Sequence, residues 1–194
     1  MGCLPGRRSF ASRPGGTLAV THRYDPGMSV LIRPARASDL VRIIEFYNVY
    51  IVDSAFSVDL VPWDLEQRVA WWDHYSDTGP YRVFVADVDG RVVGAAYSTR
   101  YREKAAYQSS VETTVVVDPD CVAAGIGRRL LTTVLDVVRN EGIHRAYAII
   151  TVPNEASIGL HEALGYRHVG TLDEVGFKLG RYWPTAILEK RLDA

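Results

Sequence analysis

From Met28 onward the spacing of apolar residues switches repeatedly between a period of two and a period near 3.6. That switching restricts the chain to folds that mix strands with helices. Val30-Leu31-Ile32-Arg33-Pro34 reads as a short strand ended by proline. Ser38 is placed to cap a helix whose apolar face is Leu40, Ile43, Ile44, Tyr47 and Ile51. Asp64 caps a second helix, with Gln67 completing a capping box and Val69, Trp71 and Trp72 supplying apolar bulk. Residues 82–88 and 91–101 flank Asp89-Gly90, the pair that tight hairpin turns favour. Residues 109–117, rich in Val and Thr and closed by Asp118-Pro119, read as a central strand. After Gly125 and Gly127, a helix carries Ile126, Leu130, Leu131, Val134, Leu135 and Val138 on one side and stops near Gly142. Residues 145–152 read as a buried strand, and Asn154 caps a short helix ending at Leu164-Gly165. Residues 167–172 and 185–192 read as closing strands.

A chain of 194 residues, 47% of them hydrophobic, suffices for one sizeable core, so residues 28–194 are expected to form a single domain. The 22 Lys and Arg nearly balance the 23 Asp and Glu, which speaks against nucleic acid or an anionic membrane as a partner; any anion site must be local. Cys3 and Cys121 match no metal-ligand spacing and no disulfide framework, so no metal is expected and a reducing cytoplasm fits. No apolar run approaches the roughly 18 residues of a membrane span. Residues 1–27 carry Arg7, Arg8, Arg13 and Arg23 with no acid before Asp25, broken by prolines and glycines, and read as a disordered extension. An Arg-rich transit peptide is the second reading, whereas a secretory signal lacks its continuous apolar stretch.

The run Gly125-Ile126-Gly127-Arg128-Arg129 at a helix start carries the first chemical signal. A Rossmann fingerprint needs glycine where Leu130 stands, and a P-loop needs Gly-Lys-Ser/Thr, so both nucleotide readings fail. Glycines there still expose backbone N–H groups to an anion, and the helix dipole adds positive potential, an arrangement suited to a pyrophosphate. Arg128 and Arg129 each oppose that dipole by roughly 0.3–1 kcal/mol, which an anion offsets. A merely solvated basic turn beside Asp118 and Asp120 is the alternative.

From Ile32 to Leu192 the chain resembles the GCN5-related N-acetyltransferases, and within them the phosphinothricin N-acetyltransferase group. The resemblance rests on Asn48-x-Tyr50-Ile51, Ala96-Tyr97, Ala106-Tyr107, Val111-Glu112-Thr113-Thr114-Val115, Gly125-x-Gly127 and Pro153-Asn154. Its most specific segments are Leu160-His161-Glu162-Ala163-Leu164-Gly165-Tyr166 and Gly170-Thr171-Leu172. It implies a mixed, mainly antiparallel α/β sheet flanked by about four helices. That sheet splays between its fourth and fifth strands, residues 109–117 and 145–152, where acetyl-CoA enters. Two positions depart from the pattern. Val122 stands where the pyrophosphate loop often has Gln or Arg, and Val58 where an aromatic is common.

The resemblance also implies roles. Glu112, which interrupts a Val/Thr strand, takes the family's general-base position, since an ammonium must lose a proton before it attacks a thioester. His161 stands where many relatives have an acidic tyrosine, and is expected to stabilise the oxyanion or protonate the leaving thiolate; a packing histidine is the alternative. Backbone N–H groups along Val115 to Val117 are expected to serve cofactor and oxyanion, and residues Val122, Gly125, Ile126, Gly127, Arg128 and Arg129 the pyrophosphate. Asn154 is both helix cap and a ligand for the pantetheine arm. Arg102, Lys104 and Tyr107, in a basic aromatic loop, are expected to receive the carboxylate of an amino-acid-like substrate. The implied activity is acetyl-CoA-dependent acetylation of such a substrate's amino group, as in phosphinothricin or methionine sulfoximine. Acetylation of a protein amino terminus or another small amine, and a non-catalytic acyl-CoA-binding module, are the alternatives. A homodimer is compatible with the resemblance, which leaves the oligomeric state open.

Overall fold

The computed structural model describes residues 29–122 and 125–192. The expected N-terminal extension, Cys3, and loop residues Ala123 and Ala124 lie outside the described residues. Seven strands form one sheet: β1 (Val30–Pro34), β2 (Val83–Val88), β3 (Arg91–Arg100), β4 (Ser110–Val117), β5 (Arg145–Thr151), β6 (Arg167–Lys178) and β7 (Arg181–Arg191). They run in the order β1-β2-β3-β4-β5-β7-β6. Neighbours are antiparallel except β4 and β5, which are parallel. Four helices, α1 (Leu40–Asp53), α2 (Leu65–Trp72), α3 (Ile126–Asn140) and α4 (Glu155–Ala163), complete the mixed α/β architecture that the sequence implied.

Because strand side chains alternate between faces, the sheet carries two cores. On one face, α3 lays Ile126, Leu130, Leu131, Val134, Leu135 and Val138 against Phe84, Ala86, Val93 and Val111. All six residues of its expected apolar stripe are buried, each contributing roughly 1.5–3 kcal/mol. On the other face, Ile43 and Phe46 of α1 pack with Val83, Val85, Val92, Ala95, Tyr97 and Val116, flanked by Trp71 and Trp72 of α2.

Local chemistry departs from expectation at three places. The chain enters α1 through a short 3-10 turn in which the Arg36 N–H donates to Asp39 Oδ2 at 2.7 Å; Asp39, not Ser38, makes the capping contact. Arg33 holds that carboxylate with bonds of 2.8 and 3.0 Å. In α2, Asp64 and Gln67 form the expected capping box, but Arg68 is the buried residue, whereas Val69 is exposed. The β6–β7 hairpin is longer than expected, turning at Leu179 (φ 52) and Gly180 (φ 75). Asp173-Glu174 breaks the apolar alternation; a register shift between Leu172 and Gly176, with Glu174 at φ 50, absorbs the irregularity.

The α3 stripe yields a contrast in stability. Leu131→Ala should cost about 2–5 kcal/mol, while Val41→Ala on the exposed face of α1 should stay within about 0.5 kcal/mol. Urea unfolding of both variants measures the difference, and equal midpoints would contradict this core.

Candidate active site

β4 and β5 are joined by only three registered pairs, Ser110 with Arg145, Val111 with Ala146 and Glu112 with Tyr147. Beyond Glu112, β4 stays with β3 while β5 stays with β7, and a cleft opens between them. The Asp118 N–H donates to the Val93 C=O at 2.8 Å. Counting back along an antiparallel ladder, the backbone groups of Val115 and Val117 therefore point away from β3, toward the cleft. The Tyr50 hydroxyl donates to the Val117 C=O at 2.8 Å, and the N–H groups of both valines face the opening.

The start of α3 borders the same cleft. Gly125 is its N-cap at φ +71, and the next N–H groups have no acceptor inside the helix. Gly127 is constrained differently: an added Cβ would lie 3.3 Å from Leu160 Cδ2, with Val117 and Val115 close behind. It lets α3 and α4 close on β4. Ile126 offers only its backbone, because its side chain is buried in the core. Arg128 is exposed at the helix start, as is Val122 before it. Arg129, expected beside the anion, instead donates to the Val30 C=O at 2.6 Å, toward β1. Asn154 caps α4 by accepting from the Ser157 N–H at 3.1 Å.

Glu112 sits at the point of divergence, half-buried on the α1–α2 face of the sheet. Burial raises its carboxyl above the ordinary value, and the charge of Arg102 opposes that rise in part. The basic loop closes over this side. Tyr101 stacks on Tyr147, the strand partner of Glu112, with centroids 4.2 Å apart. Tyr107 meets Tyr101 edge-on at 6.0 Å, and the Arg102 guanidinium lies 4.7 Å from the Tyr101 ring. Arg102, Lys104 and Tyr107 are all exposed.

His161 is not brought beside Glu112, since it packs on the opposite face. Its ring meets Tyr166 edge-on at 5.0 Å, and the Tyr166 hydroxyl is 2.7 Å from Thr113 Oγ1, whose side chain alternates with that of Glu112. His161 Nδ1 lies 2.8 Å from the Ser157 C=O, an acceptor, so Nδ1 carries the proton. Nε2 is buried without a partner, and burial lowers the ring's pKa. In this form the ring is neutral and Nε2 accepts rather than donates.

Sequence reasoning passed over Thr113 and Tyr166, which tie the histidine face to the cleft, and an arginine enclosed by aromatic rings. Arg68 is 1% exposed. Its guanidinium lies 2.9 Å from the ring centre of Trp63, 3.7 Å from Trp71 and 5.1 Å from Tyr47. The available signal was spacing: Arg68, Trp71 and Trp72 stand at i, i+3 and i+4 on the inward side of α2, with Tyr75 just past its end. Among the described residues no cluster of His, Cys, Asp or Glu is arranged to hold a metal ion, and no helix is long and apolar enough to cross a membrane.

A parted pair of parallel strands beside a glycine-capped helix start is the arrangement that the resemblance to acetyltransferases implied, and sequence comparison identifies the class. Residues 44–166 match the model of the Acetyltransferase (GNAT) family, so the chain belongs to that family. It is 44% identical over 170 residues to a phosphinothricin N-acetyltransferase of Streptomyces coelicolor, covering 86% of this chain and 99% of the relative. It is 35% identical to an L-methionine sulfoximine/L-methionine sulfone acetyltransferase of Pseudomonas aeruginosa, covering 86% of this chain and 96% of the relative. A solved phosphinothricin acetyltransferase of Sinorhizobium meliloti, in complex with acetyl-CoA, superposes with a TM-score of 0.81 at 30% identity. It covers 85% of this chain and 89% of that one.

The glycine at the helix start can be tested against one at the helix end. Gly125→Val places a β-branched residue at φ +71, at a cost of about 1–2 kcal/mol, and should weaken coenzyme A binding about tenfold by calorimetry. Gly142→Val imposes similar strain (φ +75) at the far end of α3 and should leave the affinity unchanged. Equal affinities for the two variants would remove the helix start from the binding site.

Proposed function

We propose that this chain transfers the acetyl group of acetyl-CoA to the amino group of a small amino-acid-like compound, with Glu112 as the general base. The observation that carries the reading is a desolvated carboxyl at the point where β4 and β5 part. The relatives' shared substrate class supports it. Acetyl-CoA supplies an acetyl group already activated as a thioester. Glu112 takes the proton from the substrate ammonium, freeing the nitrogen lone pair to form the new C–N bond; the C–S bond then breaks, and the departing coenzyme A thiolate is neutralised by the second proton that the nitrogen sheds as it becomes an amide. The N–H groups of Val115 and Val117 face negative charge developing on the carbonyl oxygen. The α3 start, through Gly125, Ile126, Gly127 and Arg128, receives the pyrophosphate, and Asn154 lies beside the pantetheine arm. Arg102, with Lys104 and Tyr107, receives the substrate carboxylate across the cleft from the base. His161, neutral and buried, holds α4 against Tyr166 and Thr113.

Glu112→Gln preserves shape and removes the proton acceptor. It should bind acetyl-CoA normally and lose kcat at neutral pH by roughly 10²- to 10⁴-fold, with partial recovery as pH rises. In the unaltered protein the base works only when deprotonated. Because burial raises its pKa, kcat/KM should fall on the acid side at a pH above 4.5, the ordinary value for glutamate. Thiol release measured across pH reads both effects, and full kcat in the variant would make Glu112 structural.

A further inference from the structure

The contact between β4 and β5 ends at the pair Glu112 and Tyr147, and Tyr147 is fastened at that point on both faces of the sheet. On the face covered by α3 and α4, the Thr113 hydroxyl donates to the Tyr147 C=O at 3.1 Å. On the opposite face the Tyr147 ring stacks on that of Tyr101, with the two planes 18° apart. Tyr101 follows the last residue of β3, and β4 lies between β3 and β5, so the rings meet across β4. Alternation puts Ser110, a small residue, on that same face two positions before Glu112. Tyr107 and the Arg102 guanidinium brace Tyr101 from the loop that follows it. A stacked pair contributes on the scale of a net hydrogen bond. Beside a strand contact of three registered pairs, it is a large part of what joins β5 to β4.

Adjacent strands lie about 4.8 Å apart, so the Tyr147 side chain leaves the sheet directly beside that of Glu112. The titratable and charged groups around this carboxyl are Tyr147 from β5, Tyr97 from β3, and Tyr101 and Arg102 from the loop after β3. Loss of hydration is the largest influence on Glu112, and it acts upward. Beyond Tyr147 on β7, Glu189 is engaged by Arg145 and Arg167. The Tyr147 hydroxyl is itself raised above its ordinary value, chiefly by burial, and stays protonated at neutral pH.

We propose that the stack of Tyr101 on Tyr147 is a positioning element for the reaction, pinning β5 to β4 at the closed end of the cleft and keeping water from Glu112. The inference rests on the proposed role of Glu112 as general base and adds the residues through which that carboxyl is placed. Neither tyrosine transfers a proton, so the rings are required and the hydroxyls are not.

Tyr101→Phe and Tyr147→Phe keep the rings, whereas Tyr101→Ala and Tyr147→Ala each remove one. The Glu112 carboxyl is titrated by carbon-13 NMR in full-length protein labelled at the glutamate carboxyl, its signal assigned by its loss in Glu112→Gln. That titration is run in an Arg102→Gln background, so that movement of this cation does not enter. Both phenylalanine variants should titrate as their parent does, and each alanine variant should move the midpoint down toward 4.5, the ordinary value for glutamate. In kinetics with phosphinothricin and acetyl-CoA, Arg102 being present, the alanine variants should lose kcat about tenfold at neutral pH. Their acid limb of kcat/KM should move the same way as the titration, with KM for acetyl-CoA little changed, while the phenylalanine variants keep kcat. Tyr101 lies outside the strands and is half-exposed, so Tyr101→Ala carries the test even where Tyr147→Ala fails to fold. An unmoved midpoint in the alanine variants, or kcat lost as far in the phenylalanine variants, overturns the positioning role and leaves the acetyltransferase reading intact. A lowered midpoint together with full kcat in Glu112→Gln overturns the base assignment and, with it, the catalytic meaning of the stack.

Discussion

The short parallel contact between β4 and β5 is the constraint on which the rest of the molecule depends. Three registered pairs hold the sheet together, and after Glu112 and Tyr147 each strand follows a different partner. In an unbroken sheet the N–H groups of Val115 and Val117 would belong to a strand ladder. Here they face a cleft, and unmet backbone donors at a cleft call for a ligand able to accept from them. The same divergence leaves room for α3 and α4 to meet β4 at Gly127, where a side chain would press on Leu160. Opening the sheet and seating the start of α3 beside the opening are thus one structural event.

The elements of that event were legible to different degrees. The stripe of α3 was read residue for residue because its 3.6-residue period is unbroken from Ile126 to Val138 and nothing else competes for those side chains. The hairpin at Asp89-Gly90 was equally plain, since both turn residues adopt positive φ. Asp39 displaced Ser38 as the capping side chain because Arg33, six residues earlier, fixes its carboxylate, a tertiary contact that local preference does not contain. The far half of β6 escaped for a related reason. Its side chains are mostly exposed, so no burial pattern marks them, and only pairing with β7 makes the segment a strand.

Around the cleft, backbone position was legible in the sequence where side-chain packing was not. Gly125 and Asn154 cap α3 and α4, as their spacing suggested, and Glu112 lies in β4. Arg129 turned to a backbone acceptor on β1, and His161 fell on the opposite face from Glu112, because alternation along β4 sends Glu112 and Thr113 to opposite sides. Neither outcome can be read from residue type. The Arg68 cage was hidden for another reason: a charged residue on an inward stripe contradicts the usual pattern, and only its aromatic surroundings explain its place.

Among the described residues, several carboxylates are held in ion pairs with arginines, and Glu112 is not. Asp39 is held by Arg33, Asp118 by Arg42 and Arg91, and Glu189 by Arg167 and Arg145. For Asp39, burial alone would raise the carboxyl, and the bonds from Arg33 and the Arg36 N–H outweigh it and hold the group below its ordinary value. These ion-paired carboxylates serve structure; Asp118, just past the end of β4, secures the strand before the loop that leads to α3. Glu112 is different. It loses hydration without gaining a close cationic partner, and the charge of exposed Arg102 compensates only in part. A carboxyl whose proton affinity is raised in this way, beside an opening rather than inside a salt bridge, is the feature on which the proposed general-base role draws.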